Sequence, residues 1–341
     1  MTIIDWVERG WVPDSLIRLG IRQRLKRKQL TEYLWDVDKQ AERIQALMDQ
    51  LASSPIALET DKANEQHYEV DADFFEVVLG KHLKYSSAYW PVGVSTLDQA
   101  EEAMLSATCE FAQLADGQAV LELGCGWGSL SFWMAEHYPR SQITVVSNSA
   151  SQKQAIDRKA QERGLKNLTV MTSDVNDLDL DQQFDRVVSV EMFEHVRNYK
   201  QLMYQISGWL KPEGKLFVHI FCHRILAYPF DVESENDWMA KYFFTGGLMP
   251  AADTLLHFQD DMRLESRRLF NGQHYAKTLR AWLDKMDRSQ AQVDPILKRI
   301  YGDDWKIWRQ RWRLFFMACE ELFAYDKGQA WPVAHYRFTK R

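Results

Sequence analysis

Residues 120–130 read Val120-Leu121-Glu122-Leu123-Gly124-Cys125-Gly126-Trp127-Gly128-Ser129-Leu130. A short apolar run stops at the first glycine, and a helical pattern opens after the third. A turn this rich in glycine lets backbone N–H groups come close to a ligand, and the helix N-terminus behind it favours negative charge. A dinucleotide site would place its third glycine one residue later and an acid after the next strand. Here the third glycine is Gly128, and the stretch after the next apolar run is Ser147-Asn148-Ser149. Both features count against a dehydrogenase.

Working outward, apolar runs recur at 119–123, 143–146, 168–171, 187–190 and 215–221, with helical stretches starting near Ser149 and Tyr199. Short buried strands alternating with helices predict an α/β fold with a parallel sheet covered on both faces. Residues 264–270 and the closing PVAHYRFTK add two strand-like stretches, with helices beginning near Tyr275 and Asp303 between them. Residues 225–262, rich in aromatic rings and containing Thr245-Gly246-Gly247, read as an inserted cap. Residues 1–60 read as a helical N-terminal extension to a main domain over 61–341. Pro13-Asp14-Ser15 signals a first helix, and a second spans 31–51 before Ser53-Ser54-Pro55 breaks it.

The chain has 341 residues, 46% hydrophobic and 26% charged, so it can bury a core. Its 42 Lys plus Arg against 48 Asp plus Glu leave a net charge of −6. A nucleic-acid partner is not expected, since phosphate binding wants surplus base. The four cysteines show no metal-binding spacing and read as reduced thiols of a cytoplasmic protein. The opening MTIIDWVERGW reads as neither a secretion signal nor a membrane span. Arg18, Arg22, Arg24, Lys26, Arg27 and Lys28 form either a solvated helix face or a surface for anionic lipid, which would make the protein peripheral to a membrane. Trp305, Trp308 and Trp312 follow helical spacing and read as packing. Nothing in the sequence fixes an oligomeric state.

The ExGxGxG loop resembles that of class I S-adenosylmethionine-dependent methyltransferases, with Asp174 after the third strand placed to accept from an adenine amino group. The resemblance extends along the chain. HYEVDADFF (67–75), KYSSAYW (84–90), LELGCGWG (121–128), SVEMFEHV (189–196), HYAKTLRAW (274–282) and RWRLFFMACEELFAYDKGQAW (311–331) resemble, in one order, the cyclopropane-fatty-acyl-phospholipid synthase family. WVPDSLIRLGIRQRL and EELFAYDKGQAW resemble its coclaurine N-methyltransferase-like branch. The implied fold is Rossmann-like, with a mostly parallel seven-stranded sheet and helices on both faces.

The resemblance implies roles by position. Tyr85 and Ser86 would close over S-adenosylmethionine. Gly124, Gly126 and Gly128 would hold its methionine part. Asn148 and Gln152 would contact the nucleoside, Asp174 and Val175 would flank adenine, and Val190 would lie beneath the sulfonium. In the N-methyltransferase branch a Glu-x-x-Glu-His segment borders the amine, and it stands here as Glu191, Glu194 and His195. In the cyclopropane branch a bicarbonate ion acts as base, on a Glu matching Glu194, a His matching His219 and a Tyr matching Tyr275. A cysteine of that pattern is replaced by Ser87, which puts the ion in doubt. No metal is implied.

The acceptor is thus expected to be a small amine, with an unsaturated phospholipid acyl chain as the alternative. A binding module without chemistry is disfavoured by the intact Glu/His set. The same residues also have plain structural readings. Glu191 and Glu194 would serve as helix-capping acids, and His219 and Tyr275 as satisfied core.

Overall fold

From residue 119 onward, apolar runs and helices alternate, and the computed structural model winds them into one sheet. The structure describes residues 2–32, 36–58, 72–231 and 237–341. Residues 67–71 of the HYEVDADFF motif, 33–35 of the expected second helix and 232–236 of the cap lie outside the described residues. The described residues group into two compact units. One lies within Met1–Trp35, Val70–Ala103 and Asn271–Pro332, the other within Asp36–Glu69, Met104–Phe270 and Val333–Arg341.

The larger unit holds a sheet of seven strands: β1 (Ala119–Leu123), β2 (Gln142–Ser147), β3 (Leu168–Thr172), β4 (Phe184–Val190), β5 (Leu210–Phe221), β6 (Met262–Phe270) and β7 (Val333–Lys340). Their order is β3-β2-β1-β4-β5-β7-β6. The first five pair in parallel, and β7 runs antiparallel to both of its neighbours. The sheet is therefore seven-stranded and mostly parallel, as expected. β5 starts earlier than its apolar run because Leu210 pairs with Phe184 across a bulge.

Successive side chains of a strand point to opposite faces, so one apolar run feeds two cores. Leu121, Leu123, Val187, Leu216 and Val218 pack with Met48, Leu51, Leu202 and Ile206. Val120, Val145, Val188 and Phe217 pack with Leu105, Leu130, Met134 and Ile156. Helix ends follow side-chain caps. Ser149 accepts Gln152 N–H at 3.3 Å and starts Ala150–Glu162, and Asn198 accepts Gln201 N–H at 2.9 Å and starts Tyr199–Trp209. The helix expected over 31–51 is observed as Val37–Ser53. Asp36 stands extended and accepts from Asp38 and Lys39 N–H, which sets a new start there.

The smaller unit is helical: Ile3–Glu8, Asp14–Glu32, Ala72–Val78, Gln273–Arg288, Gln290–Tyr301 and Trp305–Ala324. The tryptophans of the last helix do pack. Trp312 is fully buried with its ring 4.9 Å from that of Phe74, and Trp308 stacks on Tyr301 at 4.4 Å. Arg18 bonds to Glu320 and Glu321, both at 2.8 Å, and Arg22 reaches Glu321 at 3.0 Å. Those two arginines therefore hold helix to helix, Arg18 mostly buried and Arg22 half exposed. Among the described residues, no helix is long and apolar enough to cross a membrane.

Candidate active site

The glycine loop follows the C-terminal end of β1, where open α/β sheets bind ligands. Gly124 and Cys125 both donate to the Val146 carbonyl, at 3.0 and 3.2 Å, which turns the chain sharply across β2. Gly124, Gly126 and Gly128 have φ of +76°, +52° and +82°, a region that favours glycine. The three sites differ in space. A Cβ at Gly124 would lie 2.6 Å from Met192, and one at Gly128 would lie 2.8 Å from Phe132, whereas one at Gly126 would meet nothing within 4 Å. Gly126 thus borders open room before the first turn of Ser129–His137.

Buried polar atoms around this loop ask for a polar ligand. Ser129 Oγ and Gln152 Nε2 are buried without a hydrogen-bond partner among the described residues. Gln152 is held by its other end, since Oε1 accepts from Ser147 Oγ at 2.7 Å. Half-buried Asn148 stands between Ser147 and the Ser149 cap. Asp174, just past β3, accepts from Asn176 at 2.8 Å (backbone) and 2.9 Å (side chain), both through Oδ1. Asn176 is itself braced, exchanging hydrogen bonds of 3.1 and 3.2 Å with the Ala57 backbone. Val175 packs on one sheet core and Val190 on the other.

A second cluster follows β4. Glu191 has φ of +48° and donates its N–H to the His219 carbonyl at 2.8 Å. Its Oε1 lies 3.1 Å from His219 Nε2, and His219 Nδ1 lies 3.0 Å from His335 Nε2. Glu194 is fully buried. Its Oε1 accepts Phe221 N–H at 2.7 Å, and its Oε2 has no hydrogen-bond partner among the described residues. Burial first, and then the Glu191 charge, push the Glu194 carboxyl well above the usual carboxylate range. Burial lowers the His195 imidazole to about 4, with the Glu191 charge pulling the other way.

His195 stacks on Phe244 with centroids 5.0 Å apart, and Phe244 also meets Phe221 at 5.6 Å and Phe230 at 5.1 Å. The cap is tied down beside this cluster by Arg197, which sequence reasoning missed. The buried guanidinium donates to the Gly246 carbonyl at 3.1 Å, the Gly247 carbonyl at 3.2 Å and Asp231 at 3.2 Å. The visible signals were only a cation two residues after the Glu-His pair and a paired glycine in the cap.

The smaller unit carries the remaining expected residues. Tyr85 packs between Phe75, at 4.8 Å, and Trp282, at 5.5 Å. Ser86 is buried and bonded to the buried Lys84. Ser87 is fully buried and donates to the Ala88 carbonyl at 3.2 Å. Thr278 pins this segment, accepting from Ala88 N–H at 3.2 Å and from Trp90 Nε1 at 3.0 Å. Tyr275 is buried and stacks on Phe323 at 4.3 Å.

Bicarbonate does not fit His219. Each imidazole nitrogen offers one in-plane hydrogen or lone pair, and both are engaged, by Glu191 and by His335.

Residues 58–332 match the mycolic acid cyclopropane synthetase family. The chain belongs to that family. It is 35% identical to (S)-coclaurine N-methyltransferase of Thalictrum flavum subsp. glaucum, over 99% of this chain and 95% of the relative. It is 32% identical to cyclopropane-fatty-acyl-phospholipid synthase of Escherichia coli (strain K12), over 80% of this chain and 67% of that one. A crystal structure of coclaurine N-methyltransferase bound to N-methylheliamine and SAH superposes with a TM-score of 0.96, at 34% identity and 99% coverage of both chains. The cyclopropane synthase MmaA2 from Mycobacterium tuberculosis shares the fold, with a TM-score of 0.71 at 20% identity over 84% of this chain and 100% of that one. Within the family the chain stands in the coclaurine N-methyltransferase-like branch. It is an S-adenosylmethionine-dependent methyltransferase.

Proposed function

We propose that this enzyme methylates the nitrogen of a small amine on an apolar frame, with Glu191, Glu194 and His195 at the reacting end. S-adenosylmethionine supplies a methyl group already activated by its sulfonium. The protein must therefore align the nucleophile, exclude water and manage one proton. An amine arrives at neutral pH mostly as an ammonium and attacks only after losing that proton.

The observation that carries this reading is the cluster itself: Glu191, Glu194 and His195 stand together just past β4, and His195 stacks on Phe244 at 5.0 Å. Burial lowers His195 to about 4, so its ring meets the amine unprotonated, and the neighbouring Glu191 charge opposes that lowering and favours the imidazolium. Burial and the Glu191 charge both raise Glu194 well above its usual range, which disfavours a second negative charge beside Glu191. Glu191 then acts as the anion that attracts the ammonium and steadies the imidazolium formed on proton transfer. The rings of Phe244, Phe221 and Phe230 suit a cation on an apolar frame. The relatives named for coclaurine, pavine and tetrahydroprotoberberine support an amine acceptor.

For cofactor recognition, we assign the loop glycines to the methionine part, Ser129 and Gln152 to polar contacts, and Asp174 to the adenine amino group. The basic residues left outside the Arg18 and Arg22 ion pairs are not needed for this chemistry.

The deciding experiment incubates the enzyme with methyl-labelled S-adenosylmethionine and, separately, a panel of secondary and tertiary amines and an unsaturated phospholipid extract. Label on an amine nitrogen is expected. Label confined to acyl chains would overturn the reading.

A further inference from the structure

A buried histidine outside the Glu-x-x-Glu-His segment completes a chain of hydrogen bonds behind it. His335 lies on β7 in register with His219 on β5, which in turn is in register with Val190 on β4. Directly opposed residues of neighbouring strands share a face, so the register alone brings the two rings together. Their centroids are 4.8 Å apart, and both residues are fully buried. Aromatic rings surround His335: Phe270 at 4.6 Å, Phe217 at 4.9 Å and Phe111 at 5.7 Å.

The direction of the chain follows from hydrogen-bond chemistry. A carboxylate can only accept, so the hydrogen between Glu191 and His219 belongs to His219 Nε2. A neutral imidazole then carries its lone pair on Nδ1. The group 3.0 Å from that lone pair is His335 Nε2, which must therefore be the donor. His219 also accepts the Glu191 N–H through its backbone carbonyl, so one residue grips Glu191 at both ends while its φ is +48°. A non-glycine residue in that region persists where its surroundings over-determine it.

We propose that His335 is a positioning residue: by donating to Nδ1 it keeps a second proton off His219, so that the neutral ring's one N–H, at Nε2, holds the Glu191 carboxylate toward the amine. This rests on the amine reading above. It also extends it, because the same hydrogen bond takes His219 out of use as an ion ligand.

The test pairs two variants with one spectrum. His335→Phe keeps a ring but removes the donor, while His335→Gln retains an N–H donor. Nitrogen NMR of the enzyme labelled with ¹⁵N-histidine, saturated with SAH and free of acceptor, reads the tautomer of His219. The expected wild-type spectrum shows His219 protonated at Nε2 only. His335→Phe is expected to lose that pure tautomer and to lower kcat by about tenfold or more, as loss of a supporting hydrogen bond behind a working side chain commonly does, with KM for S-adenosylmethionine unchanged. His335→Gln is expected to restore kcat to within about threefold of wild type.

A wild-type His219 protonated at Nδ1 would overturn the proposal. So would a folded His335→Phe with wild-type kcat, or Gln and Phe variants equally impaired. If His335→Phe does not fold, the wild-type spectrum and the Gln variant still decide. The spectrum needs no acceptor, so failure of the amine reading would be recognised separately.

Discussion

Replacing Gly126 by alanine should separate ligand binding from folding, because the three loop glycines differ in what a new methyl group would meet. At each one an L-residue with positive φ costs roughly 1–2 kcal/mol. At Gly124 the added Cβ also falls 2.6 Å from Met192 Cγ and 2.7 Å from its Cβ, which adds overpacking of about 1–3 kcal/mol. At Gly126 no atom lies within 4 Å, so only the backbone cost applies. The methyl group would instead enter the room assigned to the methionine part of S-adenosylmethionine. Gly126→Ala should therefore lower the unliganded melting temperature by only a few degrees. SAH affinity should fall by at least about tenfold, equivalent to about 1.4 kcal/mol. Gly124→Ala should melt distinctly lower than Gly126→Ala even without ligand. Differential scanning fluorimetry and isothermal titration calorimetry read the two quantities separately. If Gly126→Ala bound SAH within about twofold of wild type, the assignment of that room would be wrong.

Other perturbations address the proton and the cap. His195→Gln should lower kcat by about 10²–10⁴-fold with SAH binding unchanged, measured by methyl-transfer assay and calorimetry. Because burial lowers His195 to about 4, the unfolded chain binds more protons between that value and 6.5, and this group's stabilisation is lost as pH falls through the window. Chemical denaturation at stepped pH should show His195→Gln less acid-sensitive than wild type. Glu101 has the opposite sign. Burial raises it to about 7, so its contribution is present below 4.5 and is lost as pH rises through about 7. The amount is about 3 kcal/mol at about 1.4 kcal/mol per pKa unit, and Glu101→Gln should flatten that slope. Arg197→Met should free the Gly246 and Gly247 carbonyls and loosen the cap, raising KM for the amine more than it changes SAH affinity in steady-state kinetics.

Much of the scaffold was legible because it is written in neighbouring residues. Glycine spacing at 124, 126 and 128, strand–helix alternation and the Ser149 cap each act within a turn or two. The helix expected over 31–51 is present but starts at Val37, because Asp36 supplies a cap that periodicity alone does not reveal. The Glu191, Glu194 and His195 segment was visible as a motif, but its protonation was not. The burial that lowers His195 and raises Glu194 is supplied by distant elements.

The sequence by itself determined the strand–loop–helix unit, the order of the elements and the family to which the chain belongs. Tertiary structure alone decided that His335 meets His219 across 116 residues of chain, and that Arg197 grips the cap. Local spacing is a property of contiguous residues, whereas strand register and desolvation exist only once the sheet has closed its cores.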